Sequence, residues 1–166
     1  MERILIIGNA GSGKTTFAKE LARKLSLPLV HLDRLYWCGN WEHLSREEFD
    51  TLLQNELEKP QWIIDGNYSR TMELRLQKCD TVIWLDYNRF VCIWGWLKRV
   101  IRNWGKSRPD MGPQCNERLD MEFAKWLWTF NGKNRGKYYQ ILSQQKDKEI
   151  YIFKNRRQLQ KFLREL

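Results

Sequence analysis

Residues 8–15 of the chain, GNAGSGKT, carry glycines, one lysine and one hydroxyl side chain in the spacing G-x-x-x-x-G-K-T. Glycines in this spacing allow a tight turn whose backbone N–H groups point inward at phosphate oxygens. Lys14 can reach the β- and γ-phosphates of a nucleotide, and the Thr15 hydroxyl can ligate Mg²⁺. The motif therefore predicts a phosphate-binding loop (P-loop) for ATP. Its predicted binding residues are Gly8, Asn9, Ala10, Gly11, Ser12, Gly13, Lys14, Thr15 and Thr16.

Two carboxylates stand where apolar, strand-like runs end. Asp65 ends the run WIID, and Asp33 ends the run LPLVHLD. Ligands of parallel α/β sheets bind at the carboxyl ends of the strands, so we expect both side chains near the P-loop. Asp65 fits the carboxylate that orders Mg²⁺ or its waters beside Thr15. Asp33 fits a group that holds a substrate hydroxyl, acts as a general base or orders Mg²⁺ through water, and the alternative is a helix N-cap.

Several arginines are placed to neutralise phosphate charge. Arg70 begins the helix after the third strand, where its fork geometry suits a phosphate or a carboxylate; a surface ion pair is the alternative. Arg99 and Arg102 lie near the end of a helix that leads into a basic segment rich in Pro and Gly, and Arg108 inside that segment is a further candidate. We expect a mobile lid, approximately residues 99–118, that excludes water and brings guanidinium charge to a transferring phosphoryl group. A solvated basic face is the alternative.

The elements that must position these residues alternate between strand and helix patterns. Apolar runs predict strands at residues 3–7, 27–32, 62–65, 80–86 and 149–153. Apolar residues at helical spacing lie between them, and we expect separate helices at residues 119–130 and 134–145, divided at Asn131. Five strands joined by helices predict one α/β domain with a parallel sheet over residues 1–166.

An aromatic segment follows Asp33. Residues 34–43, RLYWCGNWEH, are too irregular for a long helix. Their aromatic side chains, Tyr36, Trp37 and Trp41, are candidates for the wall of an acceptor pocket, and an equally good alternative is that they cover the edge of the sheet.

Charge and cysteine use limit the classes of partner and compartment. The formal net charge of +9 indicates polyanionic partners, either nucleotide phosphates or nucleic acid. Between Lys98 and Lys137 the chain has ten Lys/Arg against four acids, so the anion-binding chemistry concentrates there. No apolar run approaches the length of a membrane span, and we expect no membrane partner. The four cysteines are scattered and no leader precedes the first strand, so we expect reduced thiols and a cytoplasmic location.

The motifs resemble those of the adenylate-kinase and shikimate-kinase branch of P-loop kinases. Residues 65–71, DGNYSRT, are similar to the adenylate-kinase segment Asp-Gly-Phe-Pro-Arg-Thr, which implies a Mg²⁺-water role for Asp65 and an acceptor-anion role for Arg70. The turn at Lys154 and Asn155 stands where these kinases pack the adenine. The resemblance implies a three-layer P-loop NTPase fold with a five-stranded parallel sheet of order 2-3-1-4-5, helices on both faces and a short basic lid. The AMP-binding stretch of adenylate kinases is replaced by HLDRLYW.

Over nearly the whole chain, the motifs HLDRLYW, WIIDGNYSRT and GKSRPDMG are similar to those of bacterial P-loop proteins described as DNA topology-modulation proteins. Two functions are therefore open besides that of a plain ATPase. The first is a kinase that uses ATP and Mg²⁺ and phosphorylates a small acceptor, either a nucleotide or a hydroxyl compound. The second is a nucleotide-dependent DNA-binding or regulatory protein, although no helix-turn-helix or zinc finger is apparent. For the kinase, the expected catalytic residues are Lys14, Asp33, Arg70, Arg99 and Arg102, and the expected metal ligands are Thr15 and Asp65.

Overall fold

A computed structural model of residues 1–166 shows seven β-strands, of which five form one parallel sheet. The strands are β1 (Arg3–Gly8), β2 (Leu29–His31), β3 (Trp37–Gly39), β4 (Glu42–His43), β5 (Trp62–Asp65), β6 (Thr81–Leu85) and β7 (Glu149–Phe153). The order of the large sheet is β2-β5-β1-β6-β7. β3 and β4 pair only with each other. When the five strands of the large sheet are counted along the chain, β1, β2, β5, β6 and β7 are the first to the fifth, so the order confirms the predicted 2-3-1-4-5 arrangement.

Helices cover both faces of the sheet. They are α1 (Lys14–Leu25), α2 (Leu32–Tyr36), α3 (Arg46–Leu57), α4 (Met72–Lys78), α5 (Arg89–Arg102), α6 (Met121–Ser143) and α7 (Arg156–Glu165). α1, α5 and α7 pack on one face, α3 and α4 pack on the other, and α6 contributes side chains to both cores. None of the helices is both long and apolar enough to cross a bilayer.

The alternation of side chains along the strands divides the core into two clusters. In β1, Ile4 and Ile6 join the cluster under α1, α5 and α7, whereas Leu5 and Ile7 join the cluster under α3 and α4. All four side chains are buried, as expected for a central parallel strand that is covered on both faces. The sheet is thereby a rigid base for the loops at its carboxyl edge.

The parallel register brings the carboxyl ends of the strands to one edge of the sheet. Asp65 at the end of β5 is paired with His31 at the end of β2 and with Ile6 in β1. On the other side, Gly8 at the end of β1 is paired with Leu85 at the end of β6. The loops that follow β1, β2 and β5 therefore emerge side by side.

The prediction of two helices between residues 119 and 145 is wrong, because α6 runs without a break from Met121 to Ser143. Asn131, the predicted end of the first helix, instead uses its side chain in tertiary contacts. Its Nδ2 donates to the carbonyl of Tyr87 at 2.8 Å. This hydrogen bond and the burial of Phe130 and Tyr138 offset the low helix propensity of Asn131-Gly132.

The lid segment lies between α5 and α6 and packs against the β3–β4 hairpin. Met111, Cys115 and Glu117 are buried within it. The backbone of Gly112 approaches the carbonyl of Trp37 so closely that a Cβ at Gly112 would lie inside 3.0 Å of it. The segment 34–43, which was predicted to be too irregular for a long helix, contains the end of the short α2 and the hairpin against which the lid packs.

Arg75 on α4 is fully buried and has no carboxylate partner. Its guanidinium donates to the carbonyls of Gly66, Asn67 and Tyr68 at 2.8, 2.5 and 2.8 Å, and its Nε donates to the carbonyl of Thr71 at 3.3 Å. Burial lowers the pKa of Arg75 to about 10. These donations set the shape of the loop that follows β5.

We expect Arg75→Met to lower the free energy of unfolding by about 3 kcal/mol, because three buried loop carbonyls lose a charged donor. Lys78→Met, at an exposed position of the same helix, should change it by only about 0.5 kcal/mol. Urea-induced unfolding of the two variants and the wild type measures both values. Equal stability of Arg75→Met and the wild type would contradict this account of the loop.

Candidate functional site

The P-loop connects β1 to the N-terminus of α1. Gly13 is the N-cap of α1 with a φ of 95°, a value that favours glycine. The first turn of α1 contains no acidic residue, so its N–H groups and the positive end of the helix dipole are available to an anion. The Nζ of Lys14 donates to the carbonyl of Asn9 at 3.0 Å, so its ammonium folds back over the loop. Thr16 is exposed in the first turn of α1.

Side chains from outside the P-loop hold its first two residues. Asn67, after β5, binds Gly8 on both sides: its Oδ1 accepts from the Gly8 N–H at 3.1 Å, and its Nδ2 donates to the Gly8 carbonyl at 2.8 Å. The buried Asn9 donates from Nδ2 to the carbonyl of Leu127 at 3.1 Å and to Oδ1 of Asn131 at 3.2 Å. The loop is thereby fixed to both the β5 turn and α6.

The apex of the P-loop packs directly on the backbone of α5. A Cβ at Gly11 would lie inside 3.0 Å of the Cys92 carbonyl and of the Trp96 nitrogen. A Cβ at Gly95 would likewise lie inside 3.0 Å of the Gly11 carbonyl. The contact is possible only because both Gly11 and Gly95 lack side chains. Gly95 was not among the predicted site residues, although an isolated glycine inside a helical pattern signals a close approach.

Asp65 links the P-loop to β2. Its Oδ2 accepts from the Thr15 hydroxyl at 2.9 Å and lies 3.2 Å from Nδ1 of His31. Its Oδ1 is buried without a hydrogen-bond partner, as is the Oγ of Ser12 in the loop. No group of three or more His, Cys, Asp or Glu side chains forms a complete metal cage. The Thr15–Asp65 pair fits Mg²⁺, which takes few protein ligands and fills its shell with phosphates and water.

Asp33 lies in the first turn of α2, and its Oδ1 accepts from the Tyr68 hydroxyl at 2.9 Å. The N-cap of α2 is His31, so Asp33 is not the helix cap. Burial raises the pKa of Asp33, and the nearby charge of Asp65 adds to this effect. Burial lowers the pKa of Lys14, an effect that the carboxylates of Asp65 and Asp33 oppose. The charges of two carboxylates therefore act on Lys14. Asp65 accepts a hydrogen bond from Thr15, and Asp33 accepts one from Tyr68.

Two arginines of the lid region converge on one buried carboxylate. An Nη2 of Arg99 lies 3.1 Å from Oε1 of Glu117, and the Nε of Arg108 lies 2.9 Å from its Oε2. Arg108 also pairs with Asp110 at 2.8 Å, and Lys19 of α1 lies 3.9 Å from Asp110. These ion pairs join the lid to α5 and to the helix that follows the P-loop.

The same two arginines act electrostatically on the centre of the site. The charge of Arg99 helps to lower the pKa of Lys14, although burial is the main cause. The charge of Arg108 opposes the effect of burial on the pKa of Asp33. Arg99 and Arg108 are therefore the arginines of the lid region whose charges act on Lys14 and Asp33.

The structure does not bring Arg102 or Arg70 to this cluster. Arg102 is exposed in the last turn of α5 and makes no ion pair or side-chain hydrogen bond. Arg70 forms two hydrogen bonds to Asp50 of α3, at 2.7 and 2.6 Å, and both side chains are largely solvent-exposed. The expectation that Arg70 binds an anion of the acceptor is therefore corrected to its alternative, the surface ion pair, because Asp50 supplies a bidentate partner.

The turn after β7 is occupied by contacts within the protein. Lys154 pairs with the buried Asp86 at the end of β6 and with the Tyr139 hydroxyl. Asn155 is the N-cap of α7, and its Oδ1 accepts from the Gln158 N–H at 3.0 Å. Neither side chain contacts the P-loop, so their adenine-binding role stays a prediction.

Four further residues of the site were not assigned from the sequence: His31, Asn67, Tyr68 and Glu117. Asn67 and Tyr68 directly follow Gly66, and a polar pair after a strand and a glycine is a signal that could have found them. Neither the pairing of His31 with Asp65 nor that of Glu117 with the arginines has a signal in the local sequence, because each depends on elements distant along the chain.

The sheet order, the loop between β1 and α1 and the acid at the end of the adjacent strand define a P-loop NTPase fold. A family model for the "ATPase family associated with various cellular activities (AAA)" matches residues 4–86, which is half of the chain. The chain belongs to this family. No curated protein matches the chain in sequence.

A solved structure of shikimate kinase from Bacteroides thetaiotaomicron is similar to the whole chain. The TM-score is 0.55 and the sequence identity is 20%, and the match covers 99% of this chain and 95% of that one. At this identity the likeness shows a shared fold, with a five-stranded parallel sheet between layers of helices.

We expect Gly95→Ala to weaken the binding of Mg-ATP, since the new methyl group displaces the backbone of Gly11. It should also lower the free energy of unfolding by about 1–3 kcal/mol, as for other overpacked contacts. Gly136→Ala is the matched control, because a Cβ at this exposed helical position of α6 meets no atom within 4 Å. That control should gain about 1 kcal/mol from helix propensity. Thermal unfolding and a Mg-ATP titration test both variants. An equal gain in the free energy of unfolding for Gly95→Ala and Gly136→Ala would contradict the proposed contact.

We expect Asp33→Asn to raise the melting temperature at neutral pH, because burial disfavours the charged form and an amide oxygen still accepts from Tyr68. Since the folded-state pKa of Asp33 is raised, the wild type gains stability as the pH falls through that pKa. The advantage of the variant should therefore shrink with falling pH and vanish below about pH 4. Melting curves from neutral to acidic pH measure it. Asp147→Asn is the control and should not raise the melting temperature. The hydrogen bond from Lys148 lowers the pKa of Asp147, so the charged form of this carboxyl already stabilises the fold.

Proposed function

We propose that the protein is an ATP-dependent phosphotransferase that transfers the γ-phosphoryl group to a hydroxyl of a small acceptor. The observation that carries this proposal is the Asp33 carboxylate, which is held by the Tyr68 hydroxyl and lies within electrostatic reach of Lys14. Asp33 is separate from the Asp65–Thr15 pair that suits Mg²⁺. A second carboxylate near the P-loop lysine is suited to act as the general base that accepts the proton of an acceptor hydroxyl.

The P-loop residues would hold the phosphates of ATP. The backbone N–H groups of residues 8–15 and the ammonium of Lys14 suit the β- and γ-phosphates, and Thr15 and Asp65 suit Mg²⁺. ATP supplies the phosphoryl group that is transferred. His31 contacts Oδ2 of the Asp65 carboxylate, and Oδ1 has no partner within the protein, so Asp65 would help to hold Mg²⁺, which would neutralise phosphate charge.

The charged side chains around the loop would accept the acceptor's proton and stabilise the charge on the transferring group. Asp33 accepts the proton of the acceptor hydroxyl while Lys14 neutralises charge on the transferring group. Arg99 and Arg108, which are already close to the site, stabilise the same charge. One such arginine lowers the barrier by about 4–7 kcal/mol in related reactions. The lid docked on the hairpin limits the access of water.

The charges favour a hydroxyl compound over a nucleoside monophosphate as the acceptor. Arg70, to which the adenylate-kinase resemblance gives an acceptor-anion role, is paired with Asp50. The acceptor side instead presents the Asp33 carboxylate, which repels a phosphate. The rings of Tyr36 and Tyr68 meet at 5.2 Å next to it and form an aromatic wall. An uncharged acceptor with an apolar surface fits this environment.

The test measures ADP release from Mg-ATP against a panel of hydroxyl compounds, nucleosides and nucleoside monophosphates. We expect one class of hydroxyl compound to stimulate release. Lys14→Ala should abolish the stimulated rate. Asp33→Asn should lower it by roughly 100-fold or more while the affinity for Mg-ATP stays close to the wild-type value, because Asp33 serves the acceptor.

Asp147→Asn, an exposed position at the opposite edge of the sheet, is the matched carboxylate control and should keep full activity. Release that no acceptor stimulates would indicate a nucleotide hydrolase or switch. Stimulation by nucleoside monophosphates alone would overturn the assignment of the acceptor class while leaving a kinase.

A nucleotide-dependent DNA-binding or regulatory function is the second candidate. The concentration of basic residues between Lys98 and Lys137 and the resemblance to DNA topology-modulation proteins favour it. A mobility-shift assay at increasing salt separates the two functions. DNA binding by this region should weaken steeply with salt, whereas acceptor phosphorylation needs no DNA.

A further inference from the structure

The outward side of α5 carries large apolar side chains that no other part of the protein covers. Phe90 is 64% exposed, Trp94 is 59% exposed and Ile101 is 76% exposed. With 3.6 residues per turn, the exposed residues of α5 occupy about a third of the helix circumference. We call this surface the aromatic–basic face; its residues are Phe90, Val91, Trp94, Lys98, Ile101 and Arg102.

Neighbouring elements extend the face at both ends of α5. Trp128 of α6 contacts Phe90 with a ring-centroid distance of 5.5 Å and is itself exposed. Trp104, just beyond the end of α5, is also exposed. An apolar surface of this extent on a soluble chain marks an interaction site.

The charge of the face has one sign. Its two charged residues, Lys98 and Arg102, are both cationic and exposed, and neither forms an ion pair. The Nζ of Lys98 lies 5.1 Å from the ring centroid of Trp94, and the guanidinium of Arg89 lies 5.1 Å from that of Trp128. Aromatic rings and cations therefore alternate over the surface, and the complementary partner is anionic.

We propose that the aromatic–basic face binds the surface of an anionic lipid bilayer. Tryptophan side chains favour the boundary between headgroups and acyl chains, where the ring is apolar and the indole N–H is hydrated, and phenylalanine is typical of the apolar face of helices that lie in this boundary. Lys98 and Arg102 extend beside them toward anionic headgroups, and each such cation adds about 1 kcal/mol of attraction. The exposed aliphatic side chain of Ile101 enters the acyl boundary together with Trp94.

The shape and chemistry of the face favour lipid over single-stranded nucleic acid. Bases stack on free aromatic faces in a positively charged groove. Here Lys98 and Arg89 each cover one ring face, the helix surface is convex, and Ile101 and Val91 offer no π-face. A second copy of the chain fits less well, because a two-fold contact would place the basic residues of one face against those of the other.

The expectation of no membrane partner rested on the absence of a spanning segment. Binding at the headgroup level needs no such segment. The face is also separate from Lys14 and Asp33, so its test does not depend on the proposed kinase activity.

The test is flotation of the full chain with vesicles of phosphatidylcholine, with and without about one third phosphatidylserine. We expect binding only to the anionic vesicles, together with a shift of tryptophan fluorescence to shorter wavelength. Lys98→Glu and Ile101→Ser should each weaken binding about tenfold, since one reverses an interfacial charge and the other removes an inserted apolar group.

Two controls make the same chemical changes elsewhere. Lys59→Glu matches the charge change, and Leu52→Ser replaces a 41% exposed leucine on α3, on the other side of the sheet. Both should bind like the wild type. Failure to bind anionic vesicles, or equal losses for Lys59→Glu and Lys98→Glu, would overturn the proposal. So would an oligothymidylate complex that needs Lys98, or a dimer that Ile101→Ser dissociates, in the absence of vesicle binding.

Discussion

The backbone of the P-loop is held from three directions, and every other part of the site depends on that constraint. Because a P-loop binds phosphate through its own N–H groups, an error in its backbone shape cannot be corrected by a side chain. Asn67 binds Gly8, α6 binds Asn9, and the apex at Gly11 rests on α5. Lys14 and Thr15 follow at once in the chain, so the positions of their functional atoms depend on these anchors.

The loop after β5 shows how buried polar groups stabilise an unfavourable conformation. Tyr68 has a φ of 26°, which is rare for a residue with a side chain. The unfavourable free energy of burying the Arg75 guanidinium is offset by its hydrogen bonds to the carbonyls of Gly66, Asn67 and Tyr68. The result is that the Tyr68 hydroxyl meets Asp33 and the Asn67 amide meets Gly8. One buried guanidinium thus positions both the anchor of the P-loop and the partner of the acceptor-side carboxylate.

The residues that could be predicted from the sequence are those whose role follows from a local pattern. Asp65 was expected near Thr15 and accepts a hydrogen bond from its hydroxyl at 2.9 Å, because the parallel pairing of β5 with β1 brings the ends of these two strands together. The orientation of the Arg70 side chain could not be predicted, since it depends on an ion pair with Asp50, which lies twenty positions away on another helix. Among the lid arginines, only Arg102 differs from the expectation, whereas Arg99 pairs with Glu117 and its charge acts on Lys14. Arg102 faces solvent, whereas Arg108 reaches the site because the path of the lid carries it to Glu117.

Helix α5 joins the phosphate site to the outer surface of the protein. Its inner side touches the P-loop at Gly95, its last turn carries Arg99, and its outer side presents Trp94. Packed interiors transmit displacements because they contain little free volume. With no side chain between Gly95 and the Gly11 carbonyl, a shift of α5 reaches the phosphate-binding backbone without any intermediate that could absorb it. The outer side of α5 and the phosphate-binding backbone are therefore separated only by the helix itself.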